Sequence, residues 1–243
     1  MSHLHFPDGS IPMWMAFGGF LLLAAALSVS LWSLRKQDVR KKVAIIGIMG
    51  AFMLVAMSMP LGPLPVHLNL GVLAGVILGP ALALVCAFVV NLLLALIGHG
   101  GVTVIGINSL VLGAEAAVGW AVFSLLRRRL GVTPSAVVAT VVAVAISVSL
   151  VLGVVSAAGL DPHELAHRHE EGEEVHDAAH ETAAAGHEGE EHGEEGFLNR
   201  VREGATLILP VGLAGAALES VVVAVTLAFL VKVRPDLIDR GAG

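Results

Sequence analysis

The sequence is short of charge and almost without cysteine. Only 14% of its 243 residues are Asp, Glu, Lys or Arg, against roughly 25% in soluble domains. There is no tyrosine, and the one cysteine, Cys86, excludes an intramolecular disulfide and a thiolate metal cluster. No Gly-x-x-x-x-Gly-Lys-[Ser/Thr] run occurs, so the chain does not hydrolyse ATP by the P-loop route. No apolar run holds a His-Glu-x-x-His pair, which removes the usual zinc and general-base pairing of an intramembrane metalloenzyme. No alternating strand pattern is present, which argues against a membrane β-barrel. Basic residues are missing before Arg35, so the first apolar run lacks the basic flank of a secretory signal and is expected to stay as a span.

What is abundant is apolar sequence, at 56% with a mean hydropathy of +0.85. Runs at about 12–34, 43–58, 68–98, 104–126, 134–158 and 205–231 approach or exceed the roughly 18 residues of a membrane helix. The expected fold class is therefore all-α, a polytopic helical bundle. Basic clusters at 35–42, Arg127–Arg129, and Lys232 with Arg234 predict cytoplasmic flanks by the positive-inside rule. Parity then demands an even number of crossings between 42 and 127, where three runs lie. The run 68–98 contains Leu78–Gly79–Pro80, and Pro80 disfavours helix at Gly79. Splitting it into about 68–79 and 80–98 gives seven segments, with the N-terminus outside and the C-terminus cytoplasmic. The first piece is short for a span and suits a segment enclosed by protein. Gly71, Gly75 and Gly79 at four-residue spacing point to close helix packing there.

Residues 1–160 and 197–243 are expected to form one transmembrane domain, interrupted by an extracytoplasmic insert at 161–196. Between Asp161 and Glu195 that insert has thirteen acidic residues, seven histidines and one Arg. It is too polar to bury a core, so disorder is expected. His163, His167, His169, His176, His180, His187 and His192, flanked by carboxylates, offer weak exchangeable sites that could recruit divalent cations. An acidic linker without a specific task is the plainer alternative. The net charge of −6 is concentrated here, and no nucleic-acid footprint is visible.

The other four histidines, His3, His5, His67 and His99, all fall near predicted outer ends. Imidazole is the commonest metal-binding side chain near neutral pH, and nitrogen donors suit nickel, copper, zinc and some cobalt states. Met1-Ser2-His3 has the spacing for an amine, two amides and an imidazole around one ion, a planar array that favours Ni(II) or Cu(II). If Met1 is removed, the amine of Ser2 adjoins His3 and another segment must supply a nitrogen, from His67 or His99. A frayed polar tail is the alternative. Pro60, Pro63 and Pro65 stiffen the approach to His67, and Gly98, Gly100 and Gly101 allow tight backbone around His99. Asn91, Asn108, Glu115 and Glu219 stand within apolar runs, as functional groups or as pairs between helices.

Three stretches carry a resemblance: "LHFPDGSIP", "HLNLGVLAGVILGP" and "LALIGHGGVTVIGINSLVLG". They are similar to the opening, the His-x-x-x-x-Gly segment and the His-Gly-Gly-x-Thr-x-x-Gly-x-Asn signature of the CbiM/NikM family. The resemblance covers about 4–231 apart from the insert. It implies a six-helix substrate-binding core plus one N-terminal helix, in the plasma (inner) membrane of a prokaryote. It implies capture of Co2+ or Ni2+ as the transported substrate of an energy-coupling-factor transporter. The partners implied are a transmembrane coupling protein and two cytosolic ATPase subunits, with room for a small accessory membrane protein. The family's metal ligands are the N-terminal amine, an early His and a loop His, which match His5 and His67; His99 and Asn108 match residues that shape or support the site. Here His5 follows Met1-Ser2-His3-Leu4, so either processing exposes a new amine or His3 takes the early role. A membrane sensor that binds the ion without moving it is the rival function. Nickel and cobalt are not separated: planar nitrogen chemistry and the His-rich insert favour nickel, the family's link to cobalamin synthesis favours cobalt.

Overall fold

The computed structural model describes Phe6, 8–9, 11–35, 42–58, 67–98, 100–159 and 194–241, with backbone alone for 194–211 and 239–241. Among these residues the elements are α1 (Met13–Leu34), α2 (Val43–Ser58), α3 (Gly71–Leu78), α4 (Pro80–Leu96), α5 (Ile105–Leu130), α6 (Val132–Ala157), α7 (Glu194–Val233) and α8 (Pro235–Gly241). No strand occurs among them. Four stretches are long and apolar enough to cross a membrane: α1, α5, α6 and Gly212–Val233 of α7. α2 and α4 are apolar but shorter, at 16 and 17 residues.

The outward faces are those of a protein bathed in lipid. Phe17, Leu21, Leu22 and Val29 on α1 are exposed, as are Ile48 and Phe52 on α2 and Val221, Val225 and Phe229 on α7. Trp14 and Trp32 are both about 70% exposed at the two ends of α1. Eighteen residues of helix separate them by about 27 Å, close to the roughly 30 Å of a hydrocarbon core. Indole rings at that spacing suit the two membrane–water interfaces.

The short α3 lies at the centre. Seven of its eight residues are buried, and it packs against α2, α4, α5, α6, α7 and α8. Gly75 makes this possible: a β-carbon there would collide with the carbonyl oxygen of Ala116 on α5. Gly79, at φ 83° and ψ 161°, ends α3, and Pro80 opens α4 with its φ already set for helix. The break expected at Leu78–Gly79–Pro80 is therefore present. The piece before it is shorter than the run at 68–79, because 67–70 are not helical and Leu70 takes a left-handed φ of 57°. At the other end of the chain, α7 begins at Glu194, ahead of the apolar run from 205.

Two contacts sort the ends of the bundle. Gly19 of α1 abuts Gly106 and Ile107, so the starts of α1 and α5 lie together. Arg127 donates a hydrogen bond from Nη1 to the carbonyl of Ile238, at 3.4 Å, so the end of α5 lies by α8. One end of the bundle thus gathers Arg127–Arg129, Lys232 and Arg234. The other holds Phe6, Asp8 and the start of α5.

Candidate metal site

The first turn of α5 receives the N-terminal segment. Asn108 accepts the Phe6 N–H at Oδ1, 3.3 Å, and offers its Nδ2 to the Phe6 carbonyl at 3.5 Å. A side-chain amide used this way mimics a backbone partner and holds one residue of the incoming chain at both polar groups. Phe6 itself is fully buried among Ile11, Val104, Ile107, Val151 and Val155. Two residues on, the Asp8 carboxylate gathers three donors. The Thr103 hydroxyl and N–H meet Oδ1 at 2.6 and 2.8 Å, and the Val102 N–H meets Oδ2 at 3.0 Å. The Thr103 hydroxyl, then its N–H, holds the Asp8 pKa below the ordinary aspartate range; slight desolvation opposes this and Val102 adds to it. This strap closes on Gly101, where any β-carbon would strike the backbone nitrogen and carboxylate of Asp8.

A second segment meets α5 further along. His67 is half-buried and opens four non-helical residues that lead into α3. Asn69 donates from Nδ2 to Oε2 of Glu115 at 3.0 Å, while its Oδ1 accepts the Gly71 N–H at 2.8 Å. That second bond satisfies one of the donors a helix leaves open at its start. Glu115 is fully buried. Asn108 and Glu115 are seven residues apart, two turns of one helix, so the two docking points share a face of α5.

His67 and Asn108 are the expected site residues that the structure describes. Met1, Ser2, His3, His5 and His99 lie outside the described residues, as do Pro60, Pro63, Pro65 and the insert histidines His163, His167, His169, His176, His180, His187 and His192. The neighbours of two of them are in place: Phe6 beside His5, and Gly98 and Gly100 on either side of His99. Among the described residues no three His, Cys, Asp or Glu side chains cluster as a metal site would require. Of the other embedded polar groups, Asn91 bonds back to the Ala87 carbonyl of its own helix at 3.0 Å, and Glu219 is fully buried on α7. Sequence reasoning passed over Asn69, whose side chain accepts the N–H two residues on as Asx turns do. It also passed over the pairing of Asp8 with Thr103, which joins two motifs far apart in the chain.

The family described as CbiM, cobalt uptake substrate-specific transmembrane region, matches residues 5–237. The chain belongs to the CbiM family. It is a multi-pass membrane protein. A putative fused nickel transport protein NikMN of Archaeoglobus fulgidus is 34% identical over 109 residues, 43% of this chain and 36% of that relative. The match thus spans little more than a third of the relative's length. Among solved structures, a truncated transition metal transporter superposes with a TM-score of 0.70 at 19% identity, covering 94% of this chain and 99% of that one. A second transition metal transporter gives 0.70 at 20% identity, covering 95% and 93%. At that identity the likeness is one of fold. In this CbiM-family chain, the strap is where the opening stretch LHFPDGSIP meets the stretch GHGGVTVIGINS.

Proposed function

We propose that the chain captures Co2+ or Ni2+ at the outer membrane face, as the substrate-binding subunit of an ATP-driven energy-coupling-factor uptake transporter. One observation carries this reading: the segment after His5 and the segment after His67 dock on the same face of α5. Asn108 and Glu115 are separated by about 10.5 Å along the helix. Val72 packs on Gly119, beyond Glu115, so the residues before Asn69 lie on the Asn108 side. Two non-helical residues can cover up to about 7 Å, so a reach from Asn69 back towards Asn108 is open to His67. His5 precedes Phe6 in the chain, and Phe6 is the residue that Asn108 holds. In this reading nitrogen donors from both segments meet at one ion, beside the strap that Phe6 and Asp8 pin to α5.

The chemistry suits the ion. Borderline metals such as cobalt and nickel favour imidazole and amine nitrogen. The ion must shed water to enter, and the donors must be deprotonated, so binding releases protons. Transport energy would come from a coupling protein and two ATPase subunits. The insert histidines would raise the local supply of metal.

Metal analysis of protein purified from cells grown with both ions tests the site. Wild type is expected to retain one ion per chain; His67→Ala and a deletion of 2–5 are expected to lose it. Retained stoichiometric metal in both variants would overturn the assignment. Uptake of labelled metal with and without the ATPase partners separates a transporter subunit from a sensor. Affinity should fall as the pH drops below about 6.5, the ordinary imidazole value; an affinity flat from about pH 5 to 8 contradicts it.

A further inference from the structure

We infer that Asn69 and Glu115 form a positioning pair that fixes the His67 imidazole for metal binding, an inference that rests on the proposed metal-capture function. Residues 67–70 have no helical hydrogen-bond ladder of their own. A donor ring carried on such a stretch wanders unless something else holds its backbone, and outer partners of metal ligands commonly do this. Here the holding is concentrated two residues from His67. Asn69 is tied sideways to Glu115 on α5 and downwards to the first turn of α3, through opposite ends of one amide. The next residue, Leu70, is held at φ 57°, a region that L-residues with large side chains rarely enter. It is 1% exposed and locked in the main apolar cluster, so packing sustains the conformation.

Glu115 is placed for this task and for no exposed one. It is fully buried, and its Oε1 lies 3.1 Å from where a β-carbon on Gly71 would sit. The glycine thus leaves room for the carboxyl group against the start of α3, the end of a helix that favours negative charge. A buried acid in a membrane protein is usually assigned to a proton or ion path. Its bond to Asn69 gives Glu115 a different role, as the anchor of the segment that presents a ligand.

The test is a polarity swap. Asn69→Asp alone sets two carboxyl groups against each other. Adding Glu115→Gln restores the bond in reverse. The introduced glutamine amide donates to the introduced carboxylate, whose second oxygen still accepts the Gly71 N–H. Ni2+ affinity and the absorption band of planar Ni(II) are measured on purified full-length protein, beside thermal unfolding without metal. Asn69→Ala and Asn69→Asp are expected to bind at least about tenfold more weakly, with an altered band. The double variant is expected to recover both. Wild-type binding by either single variant, or a folded double variant no better than Asn69→Asp, overturns the inference. Where the single variants do not fold, the double variant decides alone: a wild-type band supports the pair, and a folded protein lacking it does not. His67→Ala separates the two levels. If it keeps its metal, the site itself is misplaced; if it loses metal while Asn69→Ala does not, only the positioning pair fails.

Discussion

Asp8 holds the N-terminal strap by one carboxylate with three donors, and this gives the strap a pH limit. The pKa is lower folded than unfolded, so the bond set contributes its full stabilisation above the ordinary aspartate value, about 3.9. That contribution is lost as the pH falls from there through the lowered folded value. At neutral pH it is intact, so any loss of metal affinity between about pH 7 and 5 belongs to imidazole and amine groups. Asp8→Asn is expected to weaken Ni2+ binding at pH 7 and to lower the unfolding temperature there, with the difference from wild type vanishing in acid, as titration and calorimetry would show. Two glycines separate strap from bundle. Gly101→Ala drives a methyl group into Asp8 and should reduce metal affinity with little effect on unfolding. Gly75→Ala drives one into the Ala116 carbonyl and should cost roughly 1–3 kcal/mol of stability, read from denaturant unfolding in micelles. The histidines were legible in the sequence because their side chains announce their chemistry. The long-range pairings were not: nothing local in Asp8, Thr103, Asn69 or Glu115 says that residues 46 and 95 positions apart will bond.

At the scale of elements, the long helices follow from apolar length alone, and Pro80 marks the break between α3 and α4 because its ring disfavours helix in the residue before it. The loss of helix at 67–70 was not legible. His-Leu-Asn-Leu reads as a continuation of the apolar run, whereas the Asn69 side chain bonds Glu115 and the Gly71 N–H and Leu70 is left-handed. The short connectors should be sensitive. Gly79 and Gly131 both combine φ above 80° with an extended ψ, a region essentially restricted to glycine. Alanine at either should lower stability by about 1–3 kcal/mol in the same unfolding measurement.

The whole molecule is a bundle whose two ends differ in charge, with Arg127–Arg129, Lys232 and Arg234 at one and Asp8 at the other. Val102, just before α5, and Leu130, its last residue, are both exposed at opposite ends and allow a direct check. The native Cys86 is buried, so it should stay silent towards a membrane-impermeant thiol reagent. Val102→Cys is expected to react from outside intact cells, and Leu130→Cys only after the cytoplasmic side is opened. Labelling in the reverse order would invert the topology. The charge asymmetry that predicts this was plain in the sequence, since clustered Lys and Arg survive any folding. The central position of an eight-residue helix was not, because no composition rule says which apolar segment the others will enclose.

That helix begins against Glu115 and also rests on α8, whose Ile238 sits beside Arg127, more than three turns further along α5. Eight residues of α-helix make a rod of about 12 Å, enclosed on nearly every side. Ile238 is sunk in the same apolar cluster as the rod, so its footing is firm. A single packed element therefore ties the Glu115 level of α5 to the basic end of the molecule, so a substitution at Ile238 is expected to be felt as lost stability along the whole rod.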